Sequence, residues 1–185
     1  KKMSSTLKRA SKFMSLVLRH NPSIIDATLD ENGWLSVDLL LEGMNRKGIA
    51  IDSDLLEQVV RENDKQRFAL NEDRTKIRAN QGHSINIDLE LKAIKPPSEL
   101  FHGTVSKYIH PIMKKGIIKG KRNHVHLSKD IETAIKVGER RGRPCVLIID
   151  TEKMAREGHN FFISKNGVWL TDTVPPKYIK SITKG

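Results

Sequence analysis

The sequence predicts an α+β chain of two lobes. Three observations carry this. Helical periodicity dominates the first third of the chain. A pair of short strands around a polar turn follows near residues 68–78. After the stiff Lys95-Pro96-Pro97 break the texture changes to short apolar strands with helices between them. With 185 residues, the chain can build one medium core or two small ones. We place the lobes at residues 1–92 and 93–185.

Each element has a local reason. Leu7, Ala10, Phe13, Met14, Val17 and Leu18 fall on one helical stripe over residues 5–20, with Ser4 or Ser5 as N-cap. Asn21-Pro22 ends that helix, because proline disfavours a helical residue before it. Arg19 and His20 therefore lie in its last turn, where cations suit the helix's negative end. Trp34-Leu35-Ser36 reads as a short strand after the Glu31-Asn32-Gly33 turn. Val37–Arg46 reads as a helix stopped by Lys47-Gly48. Asp52 or Ser53 caps a third helix through about Asn63, with Leu55, Leu56, Val59 and Val60 inward. Phe68-Ala69-Leu70 and Lys76-Ile77-Arg78 form a hairpin around Asn71–Arg74. Three helices followed by a hairpin is the order of a winged helix. Past the break, strands are expected at Leu100–His102, Val125–Leu127, Cys145–Ile149, Phe161–Ile163, Val168–Leu170 and Tyr178–Ile182. Cys145–Ile149 is the most apolar and hence the central one. Helices are expected near 106–115, 130–137 and 151–157.

Composition narrows the function. Lys plus Arg total 33 against 22 Asp plus Glu, a net charge of +11. That excess favours a polyanionic partner. Cys145 is the single cysteine and reads as a small core residue, so no intrachain disulfide is possible. No apolar run is long enough for a bilayer span and no signal-peptide core appears, so a soluble cytoplasmic protein is expected. Neither GxGxxG nor GxxxxGK[ST] occurs, so no Rossmann site or P-loop is expected.

Several short motifs carry chemistry. Arg19-His20, Arg67 in Lys65-Gln66-Arg67-Phe68, and Arg140 in Val137-Gly138-Glu139-Arg140-Arg141-Gly142 would hold dense negative charge if brought together, with one proton-transfer group beside it. The segment Arg78-Ala79-Asn80-Gln81-Gly82-His83-Ser84 concentrates donors, and we assign Arg78, Asn80, Gln81 and His83 to phosphate contact. Gly138–Arg143 reads as a basic loop. Glycine in His102-Gly103-Thr104 leaves room for a ligand at the backbone. His124 and His126 alternate on one strand face, but no third ligand has metal-site spacing, so no metal is expected.

Taken in order, these motifs resemble a family. Leu-Arg-His-x-Pro at 18–22, Lys-x-Arg-Phe at 65–68, Ile-Arg-Ala-Asn-Gln-Gly-His-Ser at 77–84 and His-Gly-Thr at 102–104 come first. His-Val-His-Leu-Ser at 124–128, Val-Gly-x-Arg-x-Gly at 137–142, Asn-Gly-Val-Trp-Leu-Thr at 166–171 and Val-Pro-Pro at 174–176 complete the set. The set resembles the NAD-dependent RNA 2′-phosphotransferases, the family that includes the tRNA-splicing enzyme of fungi and its bacterial and archaeal relatives.

The resemblance implies a winged-helix lobe for RNA and an ADP-ribosyltransferase-like lobe for NAD. It implies 2′-phosphorylated RNA and NAD as partners, with no membrane and no metal. Arg19, His20, Arg67 and Arg140 would be catalytic, with Arg141 an alternative to Arg140. His102, Gly103, Thr104, His126 and Ser128 would hold NAD. His102, His126 and Val168 match positions that other ADP-ribosyltransferases fill with a His-Tyr-Glu-like triad. Valine there argues against transfer to protein, since no glutamate activates a protein acceptor. Two other readings stay open: ADP-ribosylation of terminal phosphates of RNA or DNA, and a non-enzymatic winged-helix binder of nucleic acid.

Overall fold

The computed structural model describes residues 4–63 and 65–184. It mixes helix and sheet, and the chain divides into two compact units, residues 1–90 and 91–185.

In the first unit, helix α1 (Ser5–Ser15) starts where the Ser4 hydroxyl accepts from the Leu7 amide at 3.3 Å. Leu7, Ala10 and Met14 are buried along its inner face. The apolar periodicity predicts a regular α-helix through His20. Instead Leu16–His20 widens into a π turn, with the Asn21 amide donating to the Leu16 carbonyl at 2.8 Å. Such turns are rare and concentrate at functional sites. Pro22, which lacks an amide, then opens a 3₁₀ turn, Pro22–Ile25.

Strand β1 (Leu35–Ser36) leads into α2 (Val37–Arg46), capped by Ser36. A Cβ on Gly43 would lie 2.4 Å from Ile25 Cβ, so glycine lets α2 close on the 3₁₀ turn. Asp52 caps α3 (Ser53–Glu62), accepting from the Leu55 amide at 2.8 Å. Strands β2 (Phe68–Leu70) and β3 (Lys76–Ala79) form the hairpin, and the antiparallel order is β1-β3-β2. Leu18, Leu40, Met44, Leu56, Val59, Phe68 and Ile77 are core residues of this unit.

The second unit contains two antiparallel sheets. One has the order β4 (Leu100–Val105), β6 (Pro144–Ile149), β9 (Ile179–Lys184). The other has the order β5 (Val125–Leu127), β8 (Trp169–Thr171), β7 (Phe162–Ile163). Reciprocal hydrogen bonds between Phe101 and Ser128, at 2.9 and 2.7 Å, stitch β4 to the end of β5. β6 is central in its sheet, as its unbroken apolar run predicts. Helices α4 (Ile109–Lys115), α5 (Ile131–Glu139) and α6 (Thr151–Arg156) intervene. Lys95-Pro96-Pro97 is tied into this unit. Ile94 donates to the Phe161 carbonyl at 2.9 Å, and the Thr151 hydroxyl donates to the Pro97 carbonyl at 2.6 Å.

One expectation changes here, and one glycine gains a second reason. Gly138 and Glu139 belong to α5 and are not part of a loop; the basic segment begins only at the C-cap, Arg140. Packing by itself requires glycine at Gly103. A Cβ there would sit 1.7 Å from the Ala134 carbonyl oxygen, so glycine is what lets α5 lie against β4. Gly138 serves the same contact from the helix side, its Cβ position lying 2.8 Å from the Thr104 carbonyl. Among the described residues no helix is long and apolar enough to cross a membrane.

Candidate active site

The first unit gathers the polar segment around the π turn. Arg19 is half-buried. Its Nε donates to the Gln81 carbonyl at 2.9 Å and its Nη2 to Gln81 Oε1 at 3.2 Å. The Ser84 amide donates back to the Arg19 carbonyl at 2.9 Å. His20 is exposed, with Nδ1 2.8 Å from the Ser84 hydroxyl. The guanidinium and imidazole are thus held by the 81–84 turn, fixing two side chains that would otherwise sample many rotamers. Gly82 makes this possible. Its φ of 88° suits glycine, and a Cβ there would lie 2.2 Å from the Arg19 guanidinium.

Arg67 joins the same region through the hairpin. The β2–β3 register pairs Phe68 with Ala79. One step further, the Asn80 amide donates to the Arg67 carbonyl at 2.8 Å. The Arg67 guanidinium has no hydrogen-bond or ion-pair partner among the described residues. Asn80 is buried and donates through Nδ2 to the Gln66 carbonyl at 2.7 Å, fixing the loop that carries Arg67.

Arg78 is half-buried, as Arg19 is, and His83 is buried. The Arg78 guanidinium stacks 4.5 Å over the Trp34 ring, and Nη1 donates to the Asn32 carbonyl at 3.2 Å. His83 is only 1% exposed, and burial, then the positive field of Arg19, Arg78 and His20, pushes its pKa down to about 4. It is a neutral ring near pH 7. Gln81 is buried too, and both of its oxygens accept from Arg19. Of the four residues read as phosphate contacts, Asn80 bonds the loop that carries Arg67, Gln81 accepts from Arg19, Arg78 stacks half-buried on Trp34, and His83 is buried.

The second unit holds a cavity of about 550 Å³ lined by His102, Gly103, Thr104, His126 and both Arg140 and Arg141. His124 lines it as well, tilted against the Phe162 ring. Ser128 and Val168 are not in its lining; both fall one residue past the Leu127–Trp169 pair that ends the β5–β8 ladder. Six cations line the cavity and no carboxylate does: Lys115, Lys119, Lys121, Arg122, Arg140 and Arg141. The four outside the 137–142 motif were missed in the sequence. For Lys119, Lys121 and Arg122 the one signal is the 119–122 charge run, which reads equally well as a solvated face; Lys115 lies outside it.

Hydrogen bonds set the histidine tautomers. His102 Nδ1 lies 3.2 Å from the His126 carbonyl, an acceptor only, so Nδ1 carries the proton and Nε2 is left to accept. Arg122 Nη1 donates to His126 Nδ1 at 3.2 Å, so the His126 proton sits on Nε2. Burial, reinforced by Arg141, lowers the His102 pKa, while the bond to the His126 carbonyl opposes the shift. His102 is therefore neutral near pH 7.

Comparison with known proteins shows the family of the chain. Residues 5–173 match the family model described as RNA 2′-phosphotransferase, Tpt1 / KptA family. A probable RNA 2′-phosphotransferase of Flavobacterium johnsoniae is 56% identical over 173 residues, covering 94% of this chain and 95% of its own. Those of Burkholderia pseudomallei and Hahella chejuensis are 52% and 49% identical, covering 93% and 96% of this chain and 94% and 95% of their own. The chain belongs to the RNA 2′-phosphotransferase, Tpt1 / KptA family.

Proposed function

We propose that this protein removes an internal RNA 2′-phosphate by transferring it to NAD. In this reading residues 1–92 are a winged-helix lobe that holds RNA. Residues 93–185 are an ADP-ribosyltransferase-like lobe that holds NAD. The observation that carries the NAD assignment is the cavity of about 550 Å³ with six lining cations and no acid. A dinucleotide needs a cavity of a few hundred Å³, and its diphosphate needs cations; of the six, Lys119 is ion-paired with Asp172, which lies outside the lining. His102 Nε2 can accept from a ribose hydroxyl, and His126 Nε2 can donate to an oxygen.

The reaction has two steps. In the first, a 2′-phosphate oxygen attacks the anomeric carbon of the nicotinamide ribose. The carbon–nitrogen bond breaks and cationic nicotinamide leaves as a neutral base, so little proton transfer is needed. In the second, the ribose 2″-hydroxyl of the RNA–phospho–ADP-ribose attacks phosphorus. The bond to the RNA 2′-oxygen breaks and that oxygen is protonated. The products are 2′-hydroxyl RNA and ADP-ribose 1″,2″-cyclic phosphate.

A 2′-phosphate beside a phosphodiester concentrates about three negative charges. Arg19, held rigidly by Gln81, and Arg67, whose guanidinium has no partner among the described residues, suit that group. Arg140 is assigned to the phosphorus-transfer step, where charge on the crowded transition state is highest. His20 is assigned to the proton transfers of that step, with Ser84 orienting its ring.

Incubation with a 2′-phosphorylated oligonucleotide and NAD tests the proposal. Nicotinamide release that depends on the 2′-phosphate is expected; none, or release unaffected by omitting the phosphate, sinks it. ADP-ribosylation of terminal phosphates would instead leave a stable ADP-ribosylated strand.

A further inference from the structure

The first unit carries its charge on an unexpected helix. In a helix-turn-helix arrangement the second helix of the pair is the one that enters a nucleic-acid groove. That helix here is α3. Across α3, its cap and the hairpin turn lie six acids, Asp52, Asp54, Glu57, Glu62, Glu72 and Asp73, against two cations, Arg61 and Arg74. One of those cations is already paired, Arg74 Nη1 lying 2.6 Å from Glu57 Oε1. This face repels a phosphate backbone.

Helix α1 is the opposite. It contains no acid, and Lys8, Arg9 and Lys12 are all exposed. None of the three has an ion-pair partner among the described residues. At about 100° per residue, Lys8 and Lys12 lie about 40° apart on the outer face, one turn or about 6 Å from each other, with Arg9 flanking them. The same face runs about 15 Å along the axis from Lys8 to the π turn that presents Arg19 and His20. A strand whose modified nucleotide sits at Arg19 has its neighbouring phosphates within reach of this stripe.

We infer that the outer face of α1, through Lys8, Arg9 and Lys12, is the track for the single-stranded RNA flanking the 2′-phosphate, and that α3 and the hairpin turn face away from RNA. This rests on the proposed function. These residues are positioning contacts to backbone phosphates, so they confer affinity without sequence preference.

The test compares the wild type with K8Q/R9Q/K12Q and a control, D54N/E62Q. Substrates are a 2′-phosphorylated dinucleotide and a 2′-phosphorylated single strand of about a dozen nucleotides. For the long strand, the triple variant should raise KM about tenfold or more with kcat unchanged. The slope of log affinity against log salt should become shallower by about two, since each lost contact to a single strand contributes about 0.7. Dinucleotide turnover should be unaffected, and the control should bind at least as well as wild type. An unchanged KM and salt slope in the triple variant, or a raised KM in the control, overturns the inference. If the wild type itself fails on the dinucleotide, the proposed function has failed instead. An equal loss on both substrates, with circular dichroism showing intact fold, also counts against a flanking-strand track.

Discussion

The Arg19 cluster of the first unit and the cavity of the second arrange positive charge differently. Around Arg19, neutral polar groups are used to aim one cation: Gln81 accepts twice, Gly82 makes room, and the 81–84 turn holds the chain. Around the cavity, cations are many, and the packing is instead concentrated in the wall, where Gly103 and Gly138 let α5 lie on β4. A group that must meet one phosphorus atom in one geometry needs rigidity. Under the proposed function, the cavity would instead hold an extended diphosphate through the number of its charges. The comparison predicts that lost aim should cost rate in the first unit, while lost wall packing should cost stability in the second.

The largest expected effect is on rate. Arg19→Ala should slow 2′-phosphate loss by about 10²–10³, leaving NAD affinity by calorimetry within about twofold. A comparable loss of NAD affinity would erase the division of labour. Next is Gly103→Ala, which drives a methyl into the Ala134 carbonyl. It should destabilise by about 3 kcal/mol or more, read as a fall in denaturant midpoint; an unchanged midpoint would contradict the packing account.

The third concerns acid. His83 has a folded pKa of about 4 against an ordinary 6.5. The unfolded chain binds the proton first as pH falls, so the contribution is full above 6.5 and is lost progressively towards 4. The loss amounts to about 3 kcal/mol. His83→Gln should flatten that part of the stability–pH curve; an unaltered curve would mean that His83 is not the group. The smallest effect separates two neighbouring arginines. Arg141 helps to hold the His102 pKa down. Arg141→Ala should let it rise in an NMR titration, and Arg140→Ala should not.

The elements were legible because their signals are local. Asp52 caps α3 as the sequence reading allows, and the hairpin at 68–79 falls where alternation and turn residues place it. The π turn was not legible, because its wider pitch depends on how Asn21-Pro22 leaves the helix and leaves the apolar stripe intact. The motif residues were legible but not all of their placements. Nothing in the letters around His83 says that it is buried, or that Gln81 serves Arg19. Gly103 shows the converse: a motif glycine invites a ligand explanation, and only the Ala134 carbonyl reveals the packing one.

Phosphorus NMR on the wild type with a 2′-phosphorylated dinucleotide and NAD tests the central claim most directly. The account predicts that the monoester signal disappears as a cyclic phosphate of ADP-ribose appears in equal amount, through a transient phosphodiester. Release of inorganic phosphate, or a phosphodiester that persists as the end product, would contradict it.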